Sequence, residues 1–275
     1  MKVTFIGGGN MATALIGGLL KNGWSPHDLN VVEIDDAARA RMERDSGVAT
    51  YADMAPAVGE TGCVVLAVKP QHMCAVARSL APLLGDSLVV SIAAGVRIGD
   101  LSRWLGGYQR IVRAMPNTPA LALAGVAGLY AGPTVEDSDR SRAEQILAAA
   151  GRTLWVETEE RLDGVTAVSG SGPAYVFYFI EALQRAAAQL GFDDRAARLL
   201  AIETFKGAAK LADESNESAA TLRVRVTSKG GTTERALNEL ENRGVGEAIV
   251  QAVRAAAERS RELGDAFGND NSKDS

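Results

Sequence analysis

Histidine and cysteine are nearly absent, with two of each in 275 residues. Cys63 and Cys74 are too few for a disulfide framework, which sets aside the small stapled folds and fits a reducing compartment. Both read as small buried hydrophobes. His27 follows Pro26 in a loop and His72 opens a helix, and neither has a Cys, Asp or Glu at metal-ligand spacing, so no metal site is expected. Surface or capping roles are expected for both histidines. Nothing resembles the Cys–His or Ser–His pair of a hydrolase. Basic excess is missing too: 29 Lys and Arg against 34 Asp and Glu give a net charge of −5, which speaks against a nucleic-acid surface. No apolar run reaches the roughly 18 residues of a membrane span. The first residues, Met-Lys-Val-Thr-Phe-Ile, run straight into a strand without a signal-peptide pattern. These absences predict a cytoplasmic protein with no nucleic-acid or membrane partner.

What is present is an ordinary globular composition, 47% apolar and 23% charged, in a chain long enough for two modest domains. Strand and helix patterns alternate through the first half. KVTFI (2–6), LNVVEI (29–34), GCVVLAV (62–68), SLVVSIA (87–93), RIVRAM (110–115), VAGLYA (126–131) and RTLWV read as strands. Helical spacing falls at 11–20, 36–45, 72–83 and 136–150. Continuous apolar strands imply a parallel sheet buried on both faces and wound by right-handed crossovers. Strand signals stop near residue 160, in ETEERLD, and helices at 173–191, 193–212, 218–225 and 245–267 follow. The boundaries expected are thus an α/β domain over 1–160, an all-α domain over 161–267, and a solvated tail over 268–275.

The helix at 173–191 carries Tyr175, Val176, Phe177, Tyr178, Phe179 and Ile180 around its whole circumference. A helix apolar on all sides must be covered on all sides. A second copy of the chain is one cover, and two-fold homodimers are the commonest oligomers; a central position within one chain is the other.

FIGGGNMATALIGG places Gly7-x-Gly9-x-x-Ala12 between the first strand and the first helix. In a dinucleotide fingerprint the first glycine makes the tight turn, the second admits a pyrophosphate, and the third small residue lets the helix pack on the sheet. Glu33, 21 positions beyond Ala12 at the end of the second strand, is the acid expected at a ribose. Ligands of such sheets bind beyond the carboxyl ends of the strands. AVKPQ (67–71), SIAAGV (91–96) and MPNTPA (115–120) supply the neighbouring loops. The candidate cofactor residues are therefore Gly7, Gly8, Gly9, Asn10, Met11, Ala12, Glu33, Ala67, Val68, Lys69, Pro70, Ala93 and Asn117. Lys69 meets a phosphate or ribose, or is a solvated lysine; Asn117 faces the nicotinamide, or serves turn chemistry.

VTSKGGTTERAL (226–237) sets two glycines and two threonines at a helix start. Free N–H groups and the helix dipole there make an anion site suited to a small carboxylate, or the segment is a glycine-rich connector with a threonine cap. A hydroxy-acid dehydrogenase is an alternative enzyme, but it needs a general base and the helical half offers only lysines such as Lys206, Lys210 and Lys229. A non-catalytic dinucleotide sensor would not need the second anion site.

In order, FIGGGNMA, AVKPQ, SIAAGV, MPNTPA, AVSGSGPAYVF and VTSKGGTTERAL resemble the landmarks of the pyrroline-5-carboxylate reductase family, from Met1 to about Phe267. The resemblance implies a Rossmann-type α/β N-terminal domain plus an all-α C-terminal dimerisation domain. It implies reduction of the C=N bond of Δ1-pyrroline-5-carboxylate to L-proline with NADH or NADPH, the last step of proline biosynthesis. It also implies an interlocked homodimer, in a family whose dimers often assemble into decamers, with an active site built from both subunits. Ser228 and the backbone of Gly230, Gly231 and Thr232 would then hold the substrate carboxylate. Thr233, the catalytic candidate, would place its hydroxyl at the ring nitrogen. Lys229 stands where proline is commoner. Glu33 and Ile34 align with positions where many members place a small polar residue and Arg, which favours NADH here. Arg39 and Arg41 are expected to point along the exposed face of their helix.

Overall fold

The computed structural model describes residues 1–269. By contact they form two compact units: Met1–Ser171 with the chain from Ala256 onward, and Gly172–Ala255.

The first unit is built on eight strands: β1 (Val3–Ile6), β2 (Leu29–Val32), β3 (Ala49–Tyr51), β4 (Cys63–Leu66), β5 (Leu88–Ser91), β6 (Ile111–Met115), β7 (Gly125–Ala131) and β8 (Gly151–Trp155). They lie in one sheet in the order β3-β2-β1-β4-β5-β6-β7-β8. All neighbours run parallel except β6 and β7. Its helices are α1 (Asn10–Lys21), α2 (Asp36–Ser46), α3 (Ala55–Val58), α4 (Pro70–Leu80), α5 (Ile98–Trp104), α6 (Asp137–Ala148) and α7 (Arg161–Val165).

β1, β4 and β5 are buried at every residue, as near-continuous apolar strands require when helices cover both faces. One apolar layer joins Phe5, Val65 and Val90 to Leu15, Leu19 and Ile146 from α1 and α6. The other joins Ile6, Leu66 and Val89 to Met73, Leu80, Leu101 and Trp104 from α4 and α5. Cys63 is wholly buried, and burial, with Asp139 adding to it, pushes its thiol up to about 12, so it is an inert core group.

The wholly parallel sheet expected from the strand–helix alternation is corrected at β7. The connection from β6 is residues 116–124, with one short 3-10 turn at Thr118–Ala122. A connection that short closes an antiparallel pair but is too short for a parallel crossover. β3, α3 and α5 are short elements that periodicity did not reveal.

The contact boundary falls at Ser171. α7 buries Leu162 and Asp163, and the π-helical turn Thr166–Gly170 after it buries Ala167, all within the first unit. The end of the last helix also belongs there: Ser260 Oγ donates to Asp163 Oδ1 at 2.6 Å, and Arg97 pairs with Asp265 at 2.7 Å. Beyond Asn269 the expected tail lies outside the described residues.

The second unit contains α8 (Gly172–Gln189), α9 (Asp194–Glu214), α10 (Ala219–Arg225) and α11 (Thr232–Asn242), and α12 (Val245–Asn269) begins in it. α8, α10 and α11 bury no residue, and α9 buries only Ala197 and Ala201. Phe177 and Tyr178 are each 65% exposed. Among the described residues no helix is long and apolar enough to cross a membrane.

Candidate active site

The strand order reverses between β1 and β4, and the loops leaving their carboxyl ends must diverge there. That divergence opens a cleft, as parallel sheets of this kind do at their switch point. Gly7 turns the chain out of β1 with φ +103°, and its N–H donates to Val32 O at 2.8 Å. A Cβ on Gly7 would lie 2.9 Å from Ala67 O, so the turn excludes every side chain. Gly9, at the N-terminus of α1, has ordinary extended dihedrals, and a Cβ there would meet nothing. The space beside Gly9 is open toward the cleft, and no side chain caps α1. Its first-turn N–H groups remain for an anion. Ala12 is fully buried against the sheet. Gly8, Asn10 and Met11 complete the passage into α1.

The cleft, of about 550 Å³, is lined by Gly7, Gly9, Glu33, Ala67, Val68 and Lys69 among the expected residues. Ile34, Ala52, Asp53, Met54, His72 and Val76 also line it. Of these, only Ile34 was singled out by its sequence position; Asp53 and Met54 follow β3, which has no periodic signature, and His72 was expected in a surface or capping role. Ile34 is 86% exposed, an apolar plate at the mouth. Lys69 is exposed, and Pro70 starts α4. Ala93 follows β5, and Asn117 follows β6, farther along the same edge of the sheet.

Glu33 is fastened at both oxygens. Oε2 accepts from Gly8 N–H at 2.9 Å, and Oε1 accepts from Asp35 N–H at 3.1 Å. Arg39 corrects the expectation that it points along the exposed face of its helix. It folds back, with only 19% of its side chain exposed, and Nη1 donates to Glu33 O at 2.7 Å while Nη2 pairs with Asp36. The reason is local: the carbonyl of Glu33 and the carboxylate of Asp36 stand within one turn at the acidic helix start.

The side chain of Asn117 holds its own loop. Its Nδ2 donates to Ser169 O at 3.0 Å, and its Oδ1 accepts from Val126 N–H at 2.9 Å. It is 8% exposed, so the amide clamps the start of β7 to the π-helical turn rather than extending freely toward a cofactor.

In the second unit, the loop between α10 and α11 turns at Gly230, with φ +73°. Gly231 has no room for a Cβ, which would sit 2.7 Å from Ser228 Oγ. Thr232 and Thr233 open α11, which has no side-chain cap, so their N–H groups have no helical acceptor. Their hydroxyls have no protein partner among the described residues. The other two backbone donors expected in the cradle are engaged. Gly231 N–H donates to Ser228 O at 3.0 Å, and Gly230 N–H donates to Glu234 Oε2 at 2.8 Å. Ser228, Lys229 and Gly230 are exposed, while Thr233 is half-buried.

Residues 159–263 match the family described as pyrroline-5-carboxylate reductase dimerisation, and residues 2–95 match the family described as NADP oxidoreductase coenzyme F420-dependent. The pyrroline-5-carboxylate reductase of Pseudomonas aeruginosa is 42% identical over 97% of this chain and 98% of its own. That of Haemophilus influenzae is 41% identical over 95% and 97%. Among solved structures, a pyrroline-5-carboxylate reductase from Coxiella burnetii superposes with a TM-score of 0.91 at 42% identity, covering 95% of this chain and 98% of that one. The Plasmodium falciparum pyrroline carboxylate reductase, solved with NADP bound, gives 0.86 at 28% identity over 96% and 98%.

Proposed function

The chain belongs to the pyrroline-5-carboxylate reductase family, and from that premise we propose how its residues carry the reaction. It reduces the C=N bond of Δ1-pyrroline-5-carboxylate to L-proline with a reduced nicotinamide. The cleft at Gly7–Ala12 fits a dinucleotide, because Gly9 leaves open space at an uncapped helix start. Bound there, the nicotinamide supplies the hydride. The chain homo-oligomerises, and we take α8 as the seam of a homodimer, with decamers as the next level. We take the compartment as cytoplasmic, which the free thiols Cys63 and Cys74 fit.

The observation that carries the substrate reading is the uncapped start of α11, where the Thr232 and Thr233 N–H groups stand free beside Ser228. Those donors and the helix dipole hold a carboxylate and so fix the orientation of a small ring. A protonated imine is already electrophilic, so the chain's task is positioning. The Thr233 hydroxyl is a poor acid, and its role is to orient the ring nitrogen through a hydrogen bond. Thr233→Ala should lower kcat/KM by the worth of one hydrogen bond to a charged group, about 1.5–3 kcal/mol, with an unchanged melting temperature. The assay follows oxidation of the reduced nicotinamide on addition of pyrroline-5-carboxylate, in wild type and variant. Equal kcat/KM in the two would remove Thr233 from the site, and an inactive wild type would remove the function.

For the cofactor, the reading favours NADH, with NADPH still used. Glu33 brings a carboxylate to the ribose end of the cleft, where it accepts from ribose hydroxyls and repels a 2′-phosphate. Arg39 is near enough to matter, but its guanidinium is already paired with Asp36 and the Glu33 carbonyl. Glu33→Ser should shift the NADPH to NADH ratio of kcat/KM upward by about tenfold, equivalent to roughly 1.4 kcal/mol. A wild type that prefers NADPH, with the ratio unmoved by the substitution, would place Glu33 off the ribose.

A further inference from the structure

We propose that Glu234 is an internal competitor of the substrate: its carboxylate holds the head of the α10–α11 loop and must yield when the substrate carboxylate arrives, so that it sets KM. The inference rests on the substrate reading of that loop given above. Its basis is the bond from Gly230 N–H to Glu234 Oε2 at 2.8 Å. Glu234 is the third residue of α11, and a glutamate there ordinarily reaches back to the N-cap N–H in a capping box. The N-cap is Gly231, and its N–H is already donated to Ser228 O at 3.0 Å. The carboxylate instead goes one residue farther, to Gly230, whose left-handed turn aims that N–H at it. A negative charge thus occupies one of the backbone donors of the proposed anion cradle.

Two consequences separate the charge of Glu234 from its shape. A carboxylate this near the cradle repels an incoming carboxylate and competes for the same N–H. The bond also braces the loop ahead of binding, which lessens the ordering that binding itself must supply. Glutamine at 234 keeps an oxygen acceptor for Gly230 N–H and removes the charge; alanine removes both. The charge therefore acts only on substrates that carry a carboxylate, whereas a brace acts on any imine that the loop orients.

The test compares wild type, Glu234→Gln and Glu234→Ala in full kinetics with Δ1-pyrroline-5-carboxylate and with Δ1-pyrroline, which lacks the carboxylate, at saturating reduced nicotinamide. Glu234→Gln should lower KM for the carboxylate substrate about twofold to fivefold, the upper part of the range of an exposed charge pair. Its kcat and its KM for Δ1-pyrroline should stay near wild type, and the dissociation constant of L-proline, measured by calorimetry, should fall in parallel. Glu234→Ala should recover less of that gain. An unchanged or raised KM for pyrroline-5-carboxylate in Glu234→Gln, in an active wild-type background, overturns the competitor role and leaves the activity standing. A fall of equal size for Δ1-pyrroline overturns it as well. A wild type inactive on pyrroline-5-carboxylate overturns the activity and the competitor role together.

Discussion

Phe177→Asp is expected to convert the oligomer to monomer and to remove activity. Phe177 and Tyr178 are each 65% exposed on a helix that buries no residue within its own chain. Leu183, Leu199, Leu200 and Leu211 on α8 and α9 are exposed as well. Apolar surface on that scale marks an association face. Burying one large aromatic side chain is worth about 2–3 kcal/mol, and in a two-fold dimer each substitution is counted twice, so roughly 4–6 kcal/mol of association is lost before the cost of desolvating a carboxylate. Sedimentation over a dilution series should show the variant as monomer at concentrations where wild type is oligomeric, with activity falling in step. A Phe177→Asp enzyme that stays oligomeric and active would put the seam elsewhere.

The second large effect concerns the glycine turn, where adjacent positions should separate folding from binding. Gly7→Val forces a β-branched residue to φ +103° and drives its Cβ against Ala67 O, at 2.9 Å, and Ala67 C, at 3.0 Å. Left-handed backbone costs a non-glycine residue about 1–2 kcal/mol, and overpacking against main chain adds about 1–3 kcal/mol. The melting temperature should drop by several degrees and nicotinamide binding should be lost. At Gly9 φ is −70° and a Cβ would meet nothing, so Gly9→Val should lower the melting temperature by no more than the loss of a favoured N-cap residue, far less than Gly7→Val. The side chain added in Gly9→Val would fill the open space beside the start of α1, and the dissociation constant for reduced nicotinamide should rise at least about tenfold, as when a pyrophosphate loses its approach. Equal nicotinamide affinity in wild type and Gly9→Val would show that no pyrophosphate approaches there.

Legibility in the sequence followed the range of the interactions involved. The strands of GCVVLAV and SLVVSIA announce themselves because a strand buried on both faces must be nearly continuously apolar, and β4 and β5 are buried throughout, with Ser91 their one polar residue. The Gly7-x-Gly9-x-x-Ala12 turn is equally local, since the dihedrals of Gly7 and the burial of Ala12 are consequences of spacing between one strand and one helix. The circumferential apolar surface of α8 likewise states a need for cover, though not its source. β3 has three residues, none fully buried, and exists because β2 offers it an edge; no pattern over three residues distinguishes it from a loop.

The sequence by itself therefore determined the two halves, the parallel core of the sheet, the glycine turn and the polar loop that opens α11, because each depends on residues within one or two elements of each other. Tertiary structure alone decided the direction of β7, which follows from a nine-residue path between strand ends too short to cross the sheet. It decided that Asn117 clamps β7 to the turn at Ser169, 52 positions away. It also decided which acceptor each backbone N–H takes: Gly8 to Glu33, and Gly230 to Glu234. Those pairings depend on where a rotatable side chain comes to rest beside a donor, and residue spacing allows several such resting places while packing selects one.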